Sequence, residues 1–329
     1  MSLITLWNGR RIPRIGVGCW AIGGTFLMHG EAAGWGEVDD AASLRALHLA
    51  FDLGARLFDT ADVYGIGHSE ELLGRAFADR RGEIVIASKF GFTHSFADRE
   101  LNGSNATVPY MEQALAASLK RLGTDRIDLY QLHVGDVPDG PMDDLAEALE
   151  KRAEAGDIDA WGWSTDDAFR VERMLAYPHF KSVQQQLSVF HEVPAMQRLA
   201  DDNCLINLNR SPLAMGLLTG KFTSNTQFAP NDVRASSYDW LTNFKDGRPT
   251  PEALRKLDAI RELLTTGGRT MAQGALGWIL ARTPMALPIP GFKTEAQIRD
   301  NMGTLDKGPL PDKVMEEIDV LLRGTSVTS

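Results

Sequence analysis

Short apolar runs alternate with longer amphipathic segments along nearly all of this 329-residue chain. Eight runs rich in Ile, Val, Leu, Phe or Trp read as buried strands: residues 15–20, 56–59, 84–89, 127–133, 158–164, 182–185, 205–209 and 286–290. The segments between them repeat their apolar positions at helical spacing; residues 111–122, for example, stop at Gly123, a residue suited to a left-handed cap. Strand, helix, strand in strict alternation is the pattern of a parallel sheet with crossover helices, and eight repeats predict an α/β fold of the closed (β/α)8 TIM-barrel type. Asn8-Gly9 predicts a hairpin ahead of the first barrel strand. Residues 92–106 and 222–251 fit no wall element. Both follow strands, so they are expected as long loops over the C-terminal mouth, where lids belong.

The length suits one barrel or two smaller domains, and composition does not choose between them. No linker rich in Pro, Gly or Ser interrupts the alternation, which favours one domain over residues 1–329. No run of about 18 apolar residues is present, and the first residues lack the basic stretch and apolar core of a signal peptide, so the expectation is a soluble cytoplasmic protein. Cys19 and Cys204 are too few for a disulfide framework or a Cys-based zinc site, and no metal is expected. A net charge of -10 argues against a nucleic-acid partner; an anion would need a local basic pocket. An oligomer is compatible with this sequence.

Four polar residues fall at or just beyond predicted strand ends: Asp59, Tyr64, Lys89 and His133. On neighbouring strands of one barrel, such a set can deliver a proton to a carbonyl oxygen. The Lys89 ammonium would draw the Tyr64 phenol down from about 10, Asp59 would hold Lys89 charged, and His133 would orient the oxygen. Each also has an ordinary reading as a cap, a packed loop residue, a solvated strand end or a core histidine.

The surrounding motifs decide between these readings. They are Phe58-Asp59-Thr60-Ala61-Asp62-Val63-Tyr64-Gly65, Ser88-Lys89-Phe90-Gly91, and the run from Ser118 through Gly123-Thr124-Asp125-Arg126-Ile127-Asp128-Leu129-Tyr130-Gln131-Leu132-His133. From about Gly16 to Gly303 the chain closely resembles the aldo-keto reductase superfamily, with variation like that of its bacterial and channel β-subunit-like branches. The resemblance implies NADPH-dependent reduction of an aldehyde or ketone, or the reverse, with Tyr64 as general acid and Asp59, Lys89 and His133 completing the tetrad.

No Gly-x-Gly-x-x-Gly follows a strand, so the phosphates need another cradle. Ser211-Pro212-Leu213-Ala214-Met215-Gly216-Leu217-Leu218-Thr219-Gly220-Lys221 offers backbone N–H groups, a hydroxyl and an ammonium, and it resembles the family's pyrophosphate loop. A helix expected near Thr294 would point its N-terminus at the ligand. The likeness places Gly291, Lys293, Gln297, Asp300 and Asn301 at the adenosine end, where Lys293 favours a 2′-phosphate; Arg299 is either a second phosphate ligand or part of a solvated face. It places Ser164 and Gln184 at the nicotinamide carboxamide, and Gly18-Cys19-Trp20 and Asp59 also beside the cofactor. Several positions depart from the family: Thr165 and Asp166 follow Ser164, Leu187 lies where a Tyr often stacks on the ring, and Arg210 stands where an aromatic residue often precedes Ser-Pro-Leu. Trp20, Tyr64, Phe90 and His133 are expected around the substrate, with Phe26, Trp35, Phe92, Trp240 and Phe244 as further aromatic candidates. A rival reading is an NADP(H)-binding redox sensor that regulates a partner with little turnover; a barrel lyase or isomerase would make the phosphate loops a coincidence.

Overall fold

The computed structural model describes residues 2–323. Eight parallel strands form the barrel: β1 (Val17–Gly18), β2 (Leu57–Asp59), β3 (Val85–Phe90), β4 (Ile127–Leu132), β5 (Ile158–Ser164), β6 (Phe180–Gln186), β7 (Ile206–Arg210) and β8 (Ala286–Pro288). They pair in sequence order, and the seam between first and last closes through Gly16 N–H to Pro288 O and Gly18 N–H to Pro290 O, each 3.0 Å, plus a bridge from Gly18 to Gly291. Glycine is required there, because a Cβ on Gly18 would stand 2.6 Å from the Ile289 carbonyl oxygen.

Helices cover the outside, and their ends follow local chemistry. Asp39 caps Asp40–Asp52 by accepting from the N–H groups of Ala41 and Ala42. Val108–Leu122 stops at Gly123, whose φ of 63° returns its N–H to the last carbonyls. Thr294 and Gln297 form a reciprocal capping box for Glu295–Met302, at the place expected from sequence. No helix among the described residues is long and apolar enough to cross a membrane.

Strand pleating divides the core in two. Outward residues such as Phe58, Phe90, Tyr130 and Trp163 pack with the helices. Leu57, Val85, Ala87, Leu129, Ala160, Ile206, Leu208 and Leu287 form a separate inner cluster, joined by Ile4, Leu6 and Ile12 of the expected hairpin, Leu3–Thr5 with Arg11–Pro13. Along the inward files, apolar residues give way to polar ones towards the C-terminal end: Leu57 to Asp59, Ala87 to Lys89, Leu129 to Gln131 and His133, Leu208 to Arg210. The hairpin sits with the apolar layer, and the chemistry collects at the other end.

One expectation changes. Residues 92–106 are not an irregular lid: Phe92–Ser95 and Glu100–Ser104 form a hairpin, and the latter strand also pairs with Leu27–Met28, which pairs with Glu31–Ala32. These strands are two to five residues long, below what periodicity resolves, and the Leu27–Met28 partner lies far away in the chain. Residues 222–250 are mainly irregular, with a small antiparallel pair at Phe244–Lys245 and Arg248–Pro249.

Candidate active site

The β2, β3 and β4 ends meet at one buried ion pair. Lys89 Nζ donates to Asp59 Oδ2 at 2.7 Å, to the Thr60 carbonyl oxygen at 2.7 Å and to Tyr64 Oη at 3.1 Å. All three ammonium hydrogens are therefore directed, with the Lys89 and Asp59 side chains 0% and 3% exposed. The other Asp59 oxygen, Oδ1, accepts from Gln184 Nε2 at 2.8 Å. His133 stands edge-on to Tyr64, ring centroids 5.9 Å apart, and edge-on to Phe92 at 5.1 Å. Its buried Nδ1 has no partner.

Burial pushes the Tyr64 phenol up, against the opposing pull of Lys89. This corrects the expectation that the ammonium brings the phenol down to working pH: desolvation of the phenolate outweighs the ion, and Tyr64 holds its proton. Lys89 is itself held above the usual ammonium value, because Asp59 and Tyr64 overcome a burial penalty in the opposite direction. His133 is pushed well down by burial and by the Lys89 and Arg210 cations, so it is a neutral imidazole.

Trp20 lies over the group, stacked on Tyr64 with centroids 6.1 Å apart and edge-on to Trp35 at 5.3 Å. Trp240, from the late loop, reaches within 6.4 Å of Trp20 and stacks on Tyr238. Phe90 does not join this wall. Lys89 points inward, so Phe90 points outward, where it is fully buried and stacks on Tyr130 at 4.8 Å; Phe92 takes the place beside His133. The same alternation puts the Cys19 thiol in the outer core, where burial raises it far above ordinary thiols, so no cofactor contact can come from its side chain. Phe26 lies in the buried cluster against which Trp20, Tyr64 and Phe92 pack, and Phe244 packs with Phe222 and Phe228.

Three cations gather beyond β7 and β8. Lys221 and Lys293 are both lowered, first by burial and also by Arg234, with Asp232 opposing, so each lies within the field of the Arg234–Asp232 pair. Arg234, absent from the sequence-based set, comes from the late loop: it pairs with Asp232 at 2.6 Å, donates to the Met215 carbonyl at 3.3 Å and covers the Trp35 ring at 4.8 Å. Its Nη1 would lie 3.5 Å from a Cβ on Gly216, the glycine of the loop that Pro212 and Leu213 open. Ser211, Ala214, Met215 and Gly216 all have positive φ, a cost that ordinary turns avoid and anion-binding loops use. Lys293 Nζ donates to the carbonyls of Trp35 at 2.8 Å and Glu37 at 2.9 Å, tying the early loop to the helix that follows β8. Gln297 Oε1 accepts from the N–H of Lys293 at 2.6 Å, Asn301 donates to the Gly291 carbonyl at 3.3 Å, and Asp300 accepts from Thr270 at 2.7 Å. Gln297 and Asn301 shape the turn, Asp300 ties the helix to the Thr270 cap of the helix Met271–Arg282, and Arg299 is exposed.

At the opposite edge, Ser164 and Gln184 sit side by side in register on β5 and β6. Two departures from the family pattern prove to be partners: Arg210 pairs with Asp166 at 2.6 Å, and Asp166 also accepts from the Gln186 N–H. Leu187 is buried in the outer core. Among the described residues no cluster of three or more His, Cys, Asp or Glu is placed to hold a metal.

The aldo/keto reductase family model matches residues 14–323. An aldo-keto reductase of Schizosaccharomyces pombe, yakc [NADP(+)], is 34% identical over 93% of this chain and 87% of its own length. A putative voltage-gated potassium channel subunit beta of the same yeast is 29% identical over 85% and 83%. The solved glycerol dehydrogenase AKR11B4 from Gluconobacter oxydans superposes with a TM-score of 0.82, at 25% identity, over 100% of this chain and 97% of that one. With a match over nearly its whole length and the tetrad residues gathered at the barrel mouth, this chain belongs to the aldo/keto reductase family of oxidoreductases.

Proposed function

We propose that the protein, acting as one domain, reduces an aldehyde or ketone with NADPH, or runs the reverse reaction, with Tyr64 as the general acid. The observation that carries this reading is the Lys89 ammonium shared between Asp59 and Tyr64 Oη, 3.1 Å away, beside a neutral His133. Bound NADPH supplies the hydride. Tyr64 donates the proton to the carbonyl oxygen; its burial keeps that proton in place until a partner base develops negative charge. Lys89 stabilises the phenolate left behind, and Asp59 keeps Lys89 charged and aimed. His133, neutral and edge-on to the Tyr64 and Phe92 rings, orients the same oxygen, while these rings and Trp20, stacked on Tyr64, exclude water.

The residues fit a phosphate-bearing dinucleotide: a positive-φ loop at 211–216 beside Lys221 and Arg234, and Lys293 at a capped helix N-terminus. Ser211, Pro212, Leu213, Gly216 and Lys221 would hold the pyrophosphate together with Arg234. Lys293 would hold the 2′-phosphate, with Gly291, Gln297, Asp300 and Asn301 around the adenosine end. Ser164 and Gln184 would take the carboxamide; Arg210, in place of an aromatic ring, would lie against the nicotinamide, and Gly18 and Trp20 would border it with Asp59.

The test is NADPH binding followed by nicotinamide oxidation against a panel of aldehydes and ketones. Tyr64→Phe is expected to keep NADPH affinity and to lose about 100-fold or more in turnover; near wild-type turnover would remove Tyr64 as the acid. The similarity to a channel subunit favours one second reading, a redox-sensing NADP(H) module, which tight binding without turnover on any carbonyl would support.

A further inference from the structure

Gln131 was not among the residues expected at the site, yet it lies inside it. It sits in β4 directly opposite Lys89 in the ladder, is fully buried, and shares the inward file with His133. Gln184 Nε2 donates to Asp59 Oδ1 at 2.8 Å and lies 3.3 Å from Gln131 Oε1, so its two hydrogens have two acceptors. Gln131 Nε2 is itself 3.5 Å from Asp59 Oδ1.

An ionised carboxylate only accepts, so the end of the Gln184 amide facing Asp59 must be its NH2. The amide is planar, and its carbonyl oxygen is thereby directed away from the ion pair. With one acceptor alone, the side chain could still swing about the Asp59 contact; the second acceptor fixes the plane. The geometry points to Gln131 as a positioning residue that holds the Gln184 amide in one orientation, presenting its oxygen to the N–H of the nicotinamide carboxamide. Resting on the NADPH reading above, this inference adds a link to it: the residue that reads the carboxamide is tied directly to the carboxylate that aims Lys89 at Tyr64. Ring placement and the aim of the acid are thus set by one bonded chain, Gln131, Gln184, Asp59, Lys89, Tyr64.

The experiment uses the full chain and reads binding by tryptophan fluorescence, with NADP+ and its 3-acetylpyridine analogue, in which a methyl group replaces the carboxamide NH2. Wild type is expected to prefer NADP+ by about tenfold, the worth of one well-placed hydrogen bond. Gln131→Met removes the acceptor at nearly constant volume and should cut that preference to within about threefold. Gln131→Ala carries the same expectation with less bulk, should Met fail to fold. A merely structural role would lower both affinities together and leave their ratio alone. The inference is overturned if the ratio survives in the Met or Ala variant, or if wild type binds both nucleotides equally. Should wild type bind neither, it is the NADPH reading that fails.

Discussion

Replacing Asp59 with Asn removes the negative half of a pair whose side chains are at most 3% exposed, and leaves Lys89 with the Thr60 carbonyl and the Tyr64 hydroxyl as partners. Stranding a buried charge in this way costs about 3–5 kcal/mol. With an unfolding entropy of about 2.1 cal/mol/K per residue over 329 residues, that loss lowers the melting temperature by about 4 to 7 °C. The pH dependence is the sharper signature. In the wild-type protein the Lys89 value is raised above 10.5, so its contribution is complete below about pH 10.5 and is lost as pH rises through the folded value. In Asp59→Asn the burial penalty is no longer opposed by an anion, and the folded value drops below 10.5. The unfolded chain then binds the extra proton, so the variant gains stability relative to wild type as pH rises towards 10.5. Melting curves from pH 7 to 10 would show the gap between the two proteins closing. Parallel curves, or a loss under about 1 kcal/mol, would refute the claim that Asp59 stabilises the ammonium.

Two further outcomes follow from the same charges. His133 is held well below 6.5, so the native state resists a proton that the unfolded chain accepts: stability should fall as pH drops below 6.5, by up to about 1.4 kcal/mol per pH unit, and His133→Asn should flatten that fall in acid melting curves. Lys293→Ala should weaken NADPH by about tenfold or more and NADH little, measured by titration of each; equal losses would place the 2′-phosphate elsewhere.

Much of the barrel was legible because its signals are local. Eight apolar runs at strand length, Gly123 as a helix stop and Thr294 as a helix start need no distant partner to be read, and the inward files carrying Asp59, Lys89 and His133 follow from period-two alternation. Phe90, expected at the mouth from its place near a strand end, follows the same alternation to the outer face, where it stacks on Tyr130. The family motifs around Asp59, Tyr64, Lys89 and His133 carried the likeness that the family match bears out.

What sequence alone could not decide is what depends on residues far apart in the chain. Leu27–Met28 joins the hairpin of residues 92–104 to a four-stranded sheet from about 70 residues away, and Arg234 reaches Met215 and Trp35 only once the late loop folds across the mouth. Arg210 and Asp166, read separately as departures, become a matched pair 44 residues apart. The direction of the Tyr64 shift also belongs to the fold: sequence names the ammonium that lowers it, but only packing fixes the burial that outweighs that charge. Pattern and motif set the strands and the chemistry they carry, because both are short-range properties of the chain; partner, burial and field arise only when the barrel closes and brings its strand ends together.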